Sequence, residues 1–583
     1  MSSANGAVSV ASTPVGTVTI AEAANSSPNY IFPFMNCAYF STNNINRFQQ
    51  LMFRPLYWFG VGASSAFAPN LSLAAPPKFS KNNKSVTISM KGWKFADGQI
   101  VNARSVMFFL NMYKADPTSY CGYTVNAGIP DQVRMASGKG NLITINFSTA
   151  INPQWILSNY LSEITPMPDA WDKTASSTIG HCATGAFGAT STKLACLDVE
   201  HFLDTQATNT ESFAGSLWQS GIDGPWKLTN FDNSGDVTFQ ANERYSGPQK
   251  PMVRFVREVA FTSVAAEENQ LQAGSLDIGY VDPSILPSPA SRSGAVGANW
   301  GQLSSRYRLF AGSTWSFNYA AINFSQSEPK AAALDKLYVR QALQTAIDQR
   351  GVIMRAYGGY AFPSYGPLPP STPTAISGHI SNPYPFNLST AKNLLTSHGW
   401  SIQNGVMTCT VPGIGASQCG AGIGAGFTLN FAMVWATASP TLDQVFLKEV
   451  ADWASIGIIV THSTDIVDKV IADCSGASGF DICSWGDGWL YQPAYFPSGE
   501  RLFTPTGDFN VGSFTDPHMT SIIEATLSGT GNLSKYANYA AHQLPVLFEP
   551  KSATVVEVIR TLKSRVAFTP SPVGNFMPEY LHY

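Results

Sequence analysis

The residues with the clearest chemical potential form one short segment, Trp485-Gly-Asp-Gly-Trp489. It places one carboxylate between two indole rings, and the flanking Gly486 and Gly488 would let a ligand approach the backbone closely. A carboxylate enclosed by apolar rings needs a charge partner, and a ligand ammonium group would supply one. The alternative is a structural turn, in which Asp487 caps nearby amides and both tryptophans fill the core. The sequence leaves both interpretations open.

No other segment has the pattern of a catalytic or metal centre. The sequence contains no G-x-S-x-G, P-loop or H-E-x-x-H motif, and its eight histidines form no i, i+4 pair. The cysteines form no C-x-x-C pair, which argues against a zinc or iron–sulfur site. We therefore expect no metal, no cofactor and no enzymatic activity. A G-x-G-x-x-A match after Cys419 precedes a strand instead of following one, so a disulfide-pinned loop is favoured over a dinucleotide site.

The eight cysteines indicate an oxidising compartment. Three pairs are close in sequence and lie in Gly/Ser/Thr-rich stretches, where a bridge would stabilise a loop by roughly 2 to 4 kcal/mol. These pairs are Cys182 with Cys196, Cys409 with Cys419, and Cys474 with Cys483. Cys37 and Cys121 remain as candidates for a fourth, long-range bridge. The alternative is eight buried thiols in a cytosolic protein.

Composition excludes several classes of function. The chain has 583 residues, a net charge of −3, 13% charged and 12% aromatic residues. Disordered chains are charge-rich and poor in aromatics, so several folded domains are expected instead. The balanced charge and the absence of Lys/Arg runs argue against nucleic-acid binding. The longest apolar runs fall far short of the ~20 residues that span a bilayer. The opening residues to about Thr17 lack a basic n-region and an apolar h-region, so we expect no signal peptide there.

Strand and helix patterns alternate over most of the chain, which predicts an α/β fold with mixed β-sheets and more than one lobe. Asn102 is placed to cap a helix, and a helix over 262–273 should end at Gly274. Trp93 to Val101 is predicted to pair with the strand that begins at Ser85. Residues 172–216 have little periodicity and are expected to form a long surface excursion.

Several ordered motifs resemble the extracytoplasmic solute-binding proteins of family 5, which are dipeptide, oligopeptide and nickel-binding receptors of ABC importers. The segment from Lys91, K-G-W-K-F-A-D-G, is similar to the family's K-G-x-K-F-x-D-G. The segment from Gly224, G-P-W-K-L, is similar to G-P-Y-x-L, and Gln270 to Ile278 resembles L-x-x-G-E-x-D. Val339 begins V-R-Q-A-L-Q-T-A-I-D, followed by a Pro-rich segment after Gly358. The blocks keep the family's order over nearly the whole chain.

The resemblance implies a two-lobed, periplasmic-binding-protein-like (type II) fold with an additional domain. Residues 1–55, 212–311 and 553–583 would form lobe I. Residues 56–211 would form the additional domain, and residues 312–552 would form lobe II. Most motif residues, including Arg340 and Asp348, would be scaffold.

The resemblance also implies where a ligand binds. In peptide-binding members an Asp shortly after a Trp pairs with the peptide's α-ammonium, and strand backbones from both lobes pair with the peptide. That region maps here to Asp487 and to the strand near Tyr30, although Asp487 comes one position early relative to W-x-x-D-Y-x-D-P. The predicted ligand-binding residues are Tyr30, Ile31, Phe32, Trp435, Ser484, Trp485, Gly486, Asp487, Gly488 and Trp489.

The function implied is that of a non-catalytic, monomeric receptor for short peptides that feeds an ABC permease. It would be extracytoplasmic, and it would reach the membrane only through a lipid anchor or the permease. The first alternative keeps the fold but binds a sugar, a metal chelate or haem. The second is a secreted hydrolase, for which no nucleophile and base can be assembled.

Overall fold

The structure is a computed structural model that describes residues 13–22, 26–232, 234–286, 305–325, 329–372, 381–437, 440–475, 480–486, 488–568 and 571–583. Two large mixed sheets dominate it, and a four-stranded antiparallel sheet stands apart from them. Alternation of strands and helices along the described chain confirms the predicted α/β class.

The seven-stranded sheet draws its strands from three distant parts of the sequence. Its order is Trp226–Phe231, Val237–Ala241, Phe255–Val259, Thr17–Ala21, Ile278–Tyr280, Thr554–Ile559 and Tyr307–Gly312. Thr17–Ala21 runs parallel to both neighbours, and the other pairs are antiparallel. Val18 and Ile20 of the central strand are fully buried, so this sheet is covered on the face they occupy.

The six-stranded sheet lies entirely within residues 316–549. Its strands are Ile459–Asp465, Asn430–Ala436, Ile482–Ser484, Ser316–Ile322 and Trp489–Leu490 in that order, with Val546–Glu549 also paired to Ser316–Ile322. The first three are parallel, and the helix Pro440–Ser455 connects two of them. All seven residues of Ser316–Ile322 are buried, as expected for the strand that carries three partners.

Two short segments connect the large sheets. The chain leaves the seven-stranded sheet after Gly312 and enters the six-stranded sheet at Ser316, and it returns between Glu549 and Thr554. A pair of crossing segments of this kind is the arrangement that permits two bodies to hinge.

The four-stranded sheet contains Lys78–Phe79, Ser85–Ser89, Leu142–Phe147 and Val133–Lys139. Ser85–Ser89 therefore pairs with Leu142–Phe147, and the predicted pairing of Trp93 to Val101 with it is wrong. Trp93 to Val101 instead closes on itself through a single bridge between Lys94 and Ile100, around the turn at Gly98.

Short two-stranded ladders complete the strand inventory. They pair Phe59–Val61 with Ser64–Phe67, Lys173–Ala175 with Thr178–Ile179, Ala361–Phe362 with Lys551–Ser552, Trp400–Gln403 with Val406–Cys409, and Lys563–Ser564 with Leu581–His582.

The main α-helices of the described residues are Ala103–Ala115, Thr190–Ala207, Val264–Ala273, Lys330–Asp335, Leu337–Thr345, Gln349–Arg355, Leu388–Thr396, Pro440–Ser455, Val467–Ser475, Pro517–Ser528 and Leu533–Gln543. Shorter α-helices are Gln50–Met52, Pro153–Ile156, Ser216–Ser220 and Glu500–Phe503, and Asn43–Gln49 and Leu157–Leu161 are π-helical. Single 3₁₀ turns are Cys37–Tyr39, Pro69–Leu71, Pro117–Ser119, Asp169–Trp171, Thr210–Ser212, Pro283–Ile285 and Pro578–Tyr580.

Two helix predictions are confirmed, and one helix was not predicted. The Asn102 side chain caps Ala103–Ala115, and Gly274 ends Val264–Ala273 in the left-handed conformation. The predicted surface excursion at 172–216 contains an 18-residue helix, Thr190–Ala207. Its buried positions are Thr192, Cys196, Val199, Leu203 and Ala207. Their spacing is helical, but small and polar side chains between them mask the pattern.

All four disulfides expected from the sequence are present. Cys37 pairs with Cys121, Cys182 with Cys196, Cys409 with Cys419, and Cys474 with Cys483. The long-range bridge ties the segment after the first strand to the region beyond helix Ala103–Ala115. In the three short bridges the paired cysteines are 9 to 14 positions apart in the sequence, and each bridge closes a short loop as predicted.

Candidate functional site

A cavity of about 680 Å³ lies where the two large sheets meet. Its walls include strand residues of the seven-stranded sheet, both crossing segments and the π-helical stretch Asn43–Gln49. Representative lining residues are Ile20, Tyr280, Val556, Thr314, Ser552, Ser41, Asn43 and Arg47. The volume falls within the roughly 300 to 1,000 Å³ common for small-ligand sites. The cavity is therefore the candidate functional site.

Arg47 is the charged centre of one cavity wall. It is 9% exposed, and its guanidinium donates to the Tyr280 hydroxyl and, over 3.1 Å, to the carbonyl of Ala21. Its Nε lies 3.6 Å from the carboxylate of Glu258, and the guanidinium stacks 4.6 Å above the Phe576 ring. The π-helical stretch widens the turn that carries Arg47, and such stretches are frequent at functional sites.

Buried carboxyl groups surround this arginine. Burial raises the pKa of Glu258 to about 7, although the positive charge of Arg47 lowers it. Burial, aided by repulsion from Glu258, raises the pKa of Glu22 to about 8. Glu267 of helix Val264–Ala273 accepts a 2.5 Å hydrogen bond from the backbone N–H of Tyr280, and burial raises its pKa to about 7. The three acids thus titrate near neutral pH.

Charges of both signs line the cavity itself. Glu267 and Asp282 supply carboxylates, and Arg47 and Lys551 supply cations. Lys551 is only 4% exposed and lies on the segment that returns from the six-stranded to the seven-stranded sheet. A cavity with both signs of charge suits a ligand that carries an ammonium and a carboxylate.

The two sides of the cavity are joined directly. The Gln492 side-chain amide donates to the Asn46 amide oxygen, and the Asn46 amide in turn lies 3.5 Å from the carbonyl of Val573. On the same side, the Asn159 amide exchanges hydrogen bonds of 3.1 and 2.7 Å with the backbone of Phe496. Residues 56–211 and 1–55 therefore both contact the segment after Trp489.

Part of the predicted turn reaches the cavity. Gly488 and the neighbouring Leu490 line it, and Trp489–Leu490 pairs with Ser316–Phe317. Gly488 has φ +65°, and a Cβ atom there would lie 2.3 Å from the carbonyl oxygen of Phe317. Glycine is thus required by conformation and by space. Asp487, the predicted ammonium partner, lies outside the described residues.

The other residues of the turn are held by local contacts. The Trp485 indole donates to the carbonyl of Gly488 over 2.8 Å, and its ring packs edge-on against Tyr319 at 5.3 Å. Gly486 donates to the Ser484 hydroxyl over 3.2 Å, and Ser484 is fully buried. These side chains support the turn and do not line the cavity.

Trp489 is directed away from the cavity. Its ring packs against Phe509 at 4.6 Å and receives the Arg501 guanidinium at 5.3 Å. Arg501 also pairs with the carboxylate of Asp508. Both indoles are half-buried and pack against side chains at the edge of the core.

The segment Tyr30–Phe32, predicted to pair with a ligand, lies outside the cavity lining. All three residues are fully buried in the core. The Gln49 amide donates to the carbonyls of Tyr30 and Phe32, each over 3.1 Å, and the Ile31 N–H donates to the carbonyl of Ala207. These two carbonyl groups and this N–H group are therefore paired within the protein. The nearby Ser41, Thr42 and Asn43 line the cavity instead.

Trp435 also lies in the core. It is 1% exposed, its indole donates to the Asp443 carboxylate over 2.7 Å, and its ring stacks on His462 at 4.7 Å. Sequence reasoning missed Arg47, Glu267, Tyr280 and Lys551. The one available signal was a charged residue, Arg47, within a segment that is otherwise uncharged from Tyr30 to Phe53.

Metal-binding clusters and membrane-spanning helices are both absent from the described part of the chain. Its residues contain no group of three or more His, Cys, Asp or Glu side chains placed to hold a metal ion. Among the helices described here, none combines the length and the hydropathy needed to cross a bilayer.

Two mixed sheets, joined by two crossing segments and with a cavity between them, define the two-lobed fold of solute-binding proteins. The chain belongs to the bacterial extracellular solute-binding proteins, family 5, whose middle-region model matches residues 68–496. The resemblance inferred from the sequence motifs is thereby confirmed.

Relatives of known sequence agree with this assignment. Protein XP55 of Streptomyces lividans is 25% identical over 351 residues, which is 59% of this chain and 52% of that protein. A Brucella ovis protein named as an ABC transporter peptide-binding protein is 27% identical over 340 residues, 56% of each chain. The matched regions thus span about half the length of these relatives.

Solved structures share the fold along nearly the whole chain. The oligopeptide-binding protein AppA of Bacillus subtilis, in complex with a nonapeptide, superposes with a TM-score of 0.67 at 16% identity, over 98% of this chain and 99% of that one. NikA of Brucella suis, in complex with Fe(III)-EDTA, gives a TM-score of 0.69 at 16% identity, over 97% and 99%. The predicted fold class is confirmed.

Proposed function

We propose that this protein is a non-catalytic, extracytoplasmic receptor that binds short peptides in the cavity and delivers them to an ABC permease. The observation that carries the proposal is the cavity between the two large sheets, which is lined by both acidic and basic side chains. A peptide of a few residues has an ammonium and a carboxylate at opposite ends, together with backbone groups that hydrogen-bond without regard to sequence. The peptide-binding names of relatives support this ligand class.

The charged residues suggest how a peptide is held. Glu267 and Asp282 are acidic groups of the lining that an α-ammonium would meet. Asp487, which precedes Gly488 in the sequence, is the acid that the family motif implies for the same role. Lys551, a buried cation of the lining, is the group that we assign to the α-carboxylate. Burial of these side chains strengthens each of these pairs, because less bulk water screens them.

The proposed domains give the receptor its hinge. Lobe I comprises residues 1–55, 212–311 and 553–583, the additional domain comprises residues 56–211, and lobe II comprises residues 312–552. Each large sheet takes its strands from one of these lobes, with Gly312 at the boundary. Opening about the two crossing segments would admit a ligand, and closure would present a two-lobed surface to the permease. A monomer, attached to the membrane only by a lipid anchor or the permease, suffices for this role.

A melting-temperature screen tests the proposal. The panel contains di- to pentapeptides of alanine, a nickel–histidine complex and maltose, each at millimolar concentration. A ligand that binds only the folded state raises the melting temperature by mass action. We expect peptides of one or more lengths to raise it and maltose to leave it unchanged. A shift with nickel–histidine alone would overturn the peptide assignment in favour of a chelate.

A further inference from the structure

The described residues 565–568 and 571–580 of one loop form a wall of the cavity. Its neck is a short antiparallel ladder in which Lys563 pairs with His582 and Ser564 with Leu581. The Arg565 N–H also donates to the carbonyl of Tyr580 over 3.1 Å. Because its two ends are adjacent, the segment is an Ω-loop, a class of loop that is frequently functional.

Buried polar contacts fix this Ω-loop to the seven-stranded side of the molecule. The carboxylate of Glu579 lies 2.5 Å from the guanidinium of Arg54, and both side chains are about 1% exposed. The Trp226 indole lies 3.5 Å from the same carboxylate, and the Asn575 amide donates to the carbonyl of Phe59. A buried pair with these additional hydrogen bonds holds its loop in one place.

The cavity face of the Ω-loop is mainly apolar. Its lining side chains include those of Val566, Ala567, Phe568, Phe576 and Met577. Phe568 also packs on Phe310 at 5.5 Å, and Phe576 lies under the Arg47 guanidinium. Ala567 is exposed and Val566 is partly exposed, so these two are the apolar side chains of the loop that are open to the cavity. The charged groups Glu267, Asp282 and Lys551 belong to other parts of the lining.

We propose that this Ω-loop contacts the bound ligand and packs against an apolar side chain of it. The inference rests on the proposed peptide-binding function and adds a determinant of specificity. Charged walls hold the ends of a peptide, and the loop removes the side chain of an internal residue from water. The site therefore favours peptides with an apolar or aromatic internal residue.

Titration calorimetry with three tripeptides tests the inference. The probes are Ala-Phe-Ala, Ala-Ala-Ala and Ala-Ser-Ala, and the wild-type protein should bind Ala-Phe-Ala at least tenfold more tightly than Ala-Ser-Ala. Ala567→Trp fills the cavity from the loop and should weaken Ala-Phe-Ala binding at least tenfold. Arg565→Trp is the matched control, because Arg565 is an exposed loop residue outside the lining, and it should bind within twofold of wild type.

A second variant covers the case in which Ala567→Trp does not fold. Val566→Thr nearly preserves volume but adds a hydroxyl to the apolar face, and it should reduce the preference for Ala-Phe-Ala over Ala-Ser-Ala. Unliganded melting temperatures verify that each variant is folded. Equal affinity of the wild type for all three peptides, or no effect of the lining variants, overturns the inference and leaves the function intact. Failure of the wild type to bind any peptide overturns the proposed function and this inference with it.

Discussion

The side-chain amide of Gln492 donates a hydrogen bond to the amide oxygen of Asn46, from one side of the cavity to the other. Asn46 belongs to the π-helical stretch beside the seven-stranded sheet. Gln492 follows strand Trp489–Leu490 of the six-stranded sheet. Both residues are at least 95% buried. In the proposed hinge motion this contact would break on opening, so its free energy would favour the closed arrangement.

Replacement of Gln492 by Ala should therefore weaken ligand binding more than it weakens folding. A hydrogen bond of this kind contributes about 0.5 to 1.5 kcal/mol, which corresponds to a two- to tenfold loss of affinity. Gln341→Ala is the control, because the Gln341 amide donates to Tyr384 within the same proposed lobe. Calorimetric affinity that falls equally in both variants would contradict the closure role.

Gly488→Ala should disturb the cavity through the backbone. An added Cβ atom would lie 2.3 Å from the Phe317 carbonyl oxygen, and the backbone has a positive φ, so the backbone must move. The resulting strain energy is roughly 1 to 3 kcal/mol. We expect a lower melting temperature and weaker peptide binding. Gly424→Ala is the matched control, since no atom lies within 4 Å of a Cβ atom there. Equal melting temperatures of the two variants would show that the turn tolerates the side chain.

Stability should depend on pH through Glu163. Burial raises the pKa of its carboxyl to about 8, although Arg501 and Tyr120 lower it. In the unfolded chain the carboxyl ionises near the ordinary glutamate value of 4.5, so between these values the folded state binds more protons. Its contribution to the free energy of unfolding is fully present below about pH 4.5 and falls as pH rises towards 8.

Glu163→Gln removes this titration. Urea unfolding at pH 5 and pH 8.5 should show a smaller decrease in the free energy of unfolding for this variant than for the wild type. Glu211→Gln, at an exposed position, should retain the wild-type decrease. Parallel behaviour of the wild type and Glu163→Gln would contradict the assignment of a raised pKa to this carboxyl.

Asp487 tests the ammonium contact predicted from the sequence. Asp487→Asn keeps the size of the side chain and removes its charge. If the carboxylate pairs with an α-ammonium, the wild type should prefer Ala-Ala-Ala to its N-acetylated form, and the variant should lose most of this preference. Glu524→Gln, at an exposed position of helix Pro517–Ser528, provides the charge control. An unchanged preference in Asp487→Asn would assign the ammonium to Glu267 or Asp282.

The sequence predicted features that depend on local spacing. The three short disulfides and the ends of helices Ala103–Ala115 and Val264–Ala273 depend on residues close in sequence, and each is confirmed. The helix Thr190–Ala207 was missed because small polar residues interrupt its apolar face.

The cavity lining could not be predicted in the same way. Arg47 stacks on Phe576, and these residues come from opposite ends of the chain, so no local pattern relates them. Tyr30 to Phe32 has the apolar pattern of a strand, but Gln49 satisfies two of its carbonyls and the segment becomes core. The family motif pointed to the turn around Gly488 because a motif carries information about the position of a segment in the whole fold, which local spacing does not.

Native mass spectrometry tests the central claim most directly. The protein is mixed with an equimolar pool of di- to pentapeptides, nickel–histidine and maltose, and the retained mass is read from the intact complex. We expect one peptide per chain, and its loss in a variant with the cavity filled by Thr554→Trp. Retention of nickel–histidine or maltose without peptide, or of no ligand at all, would contradict the peptide-receptor function.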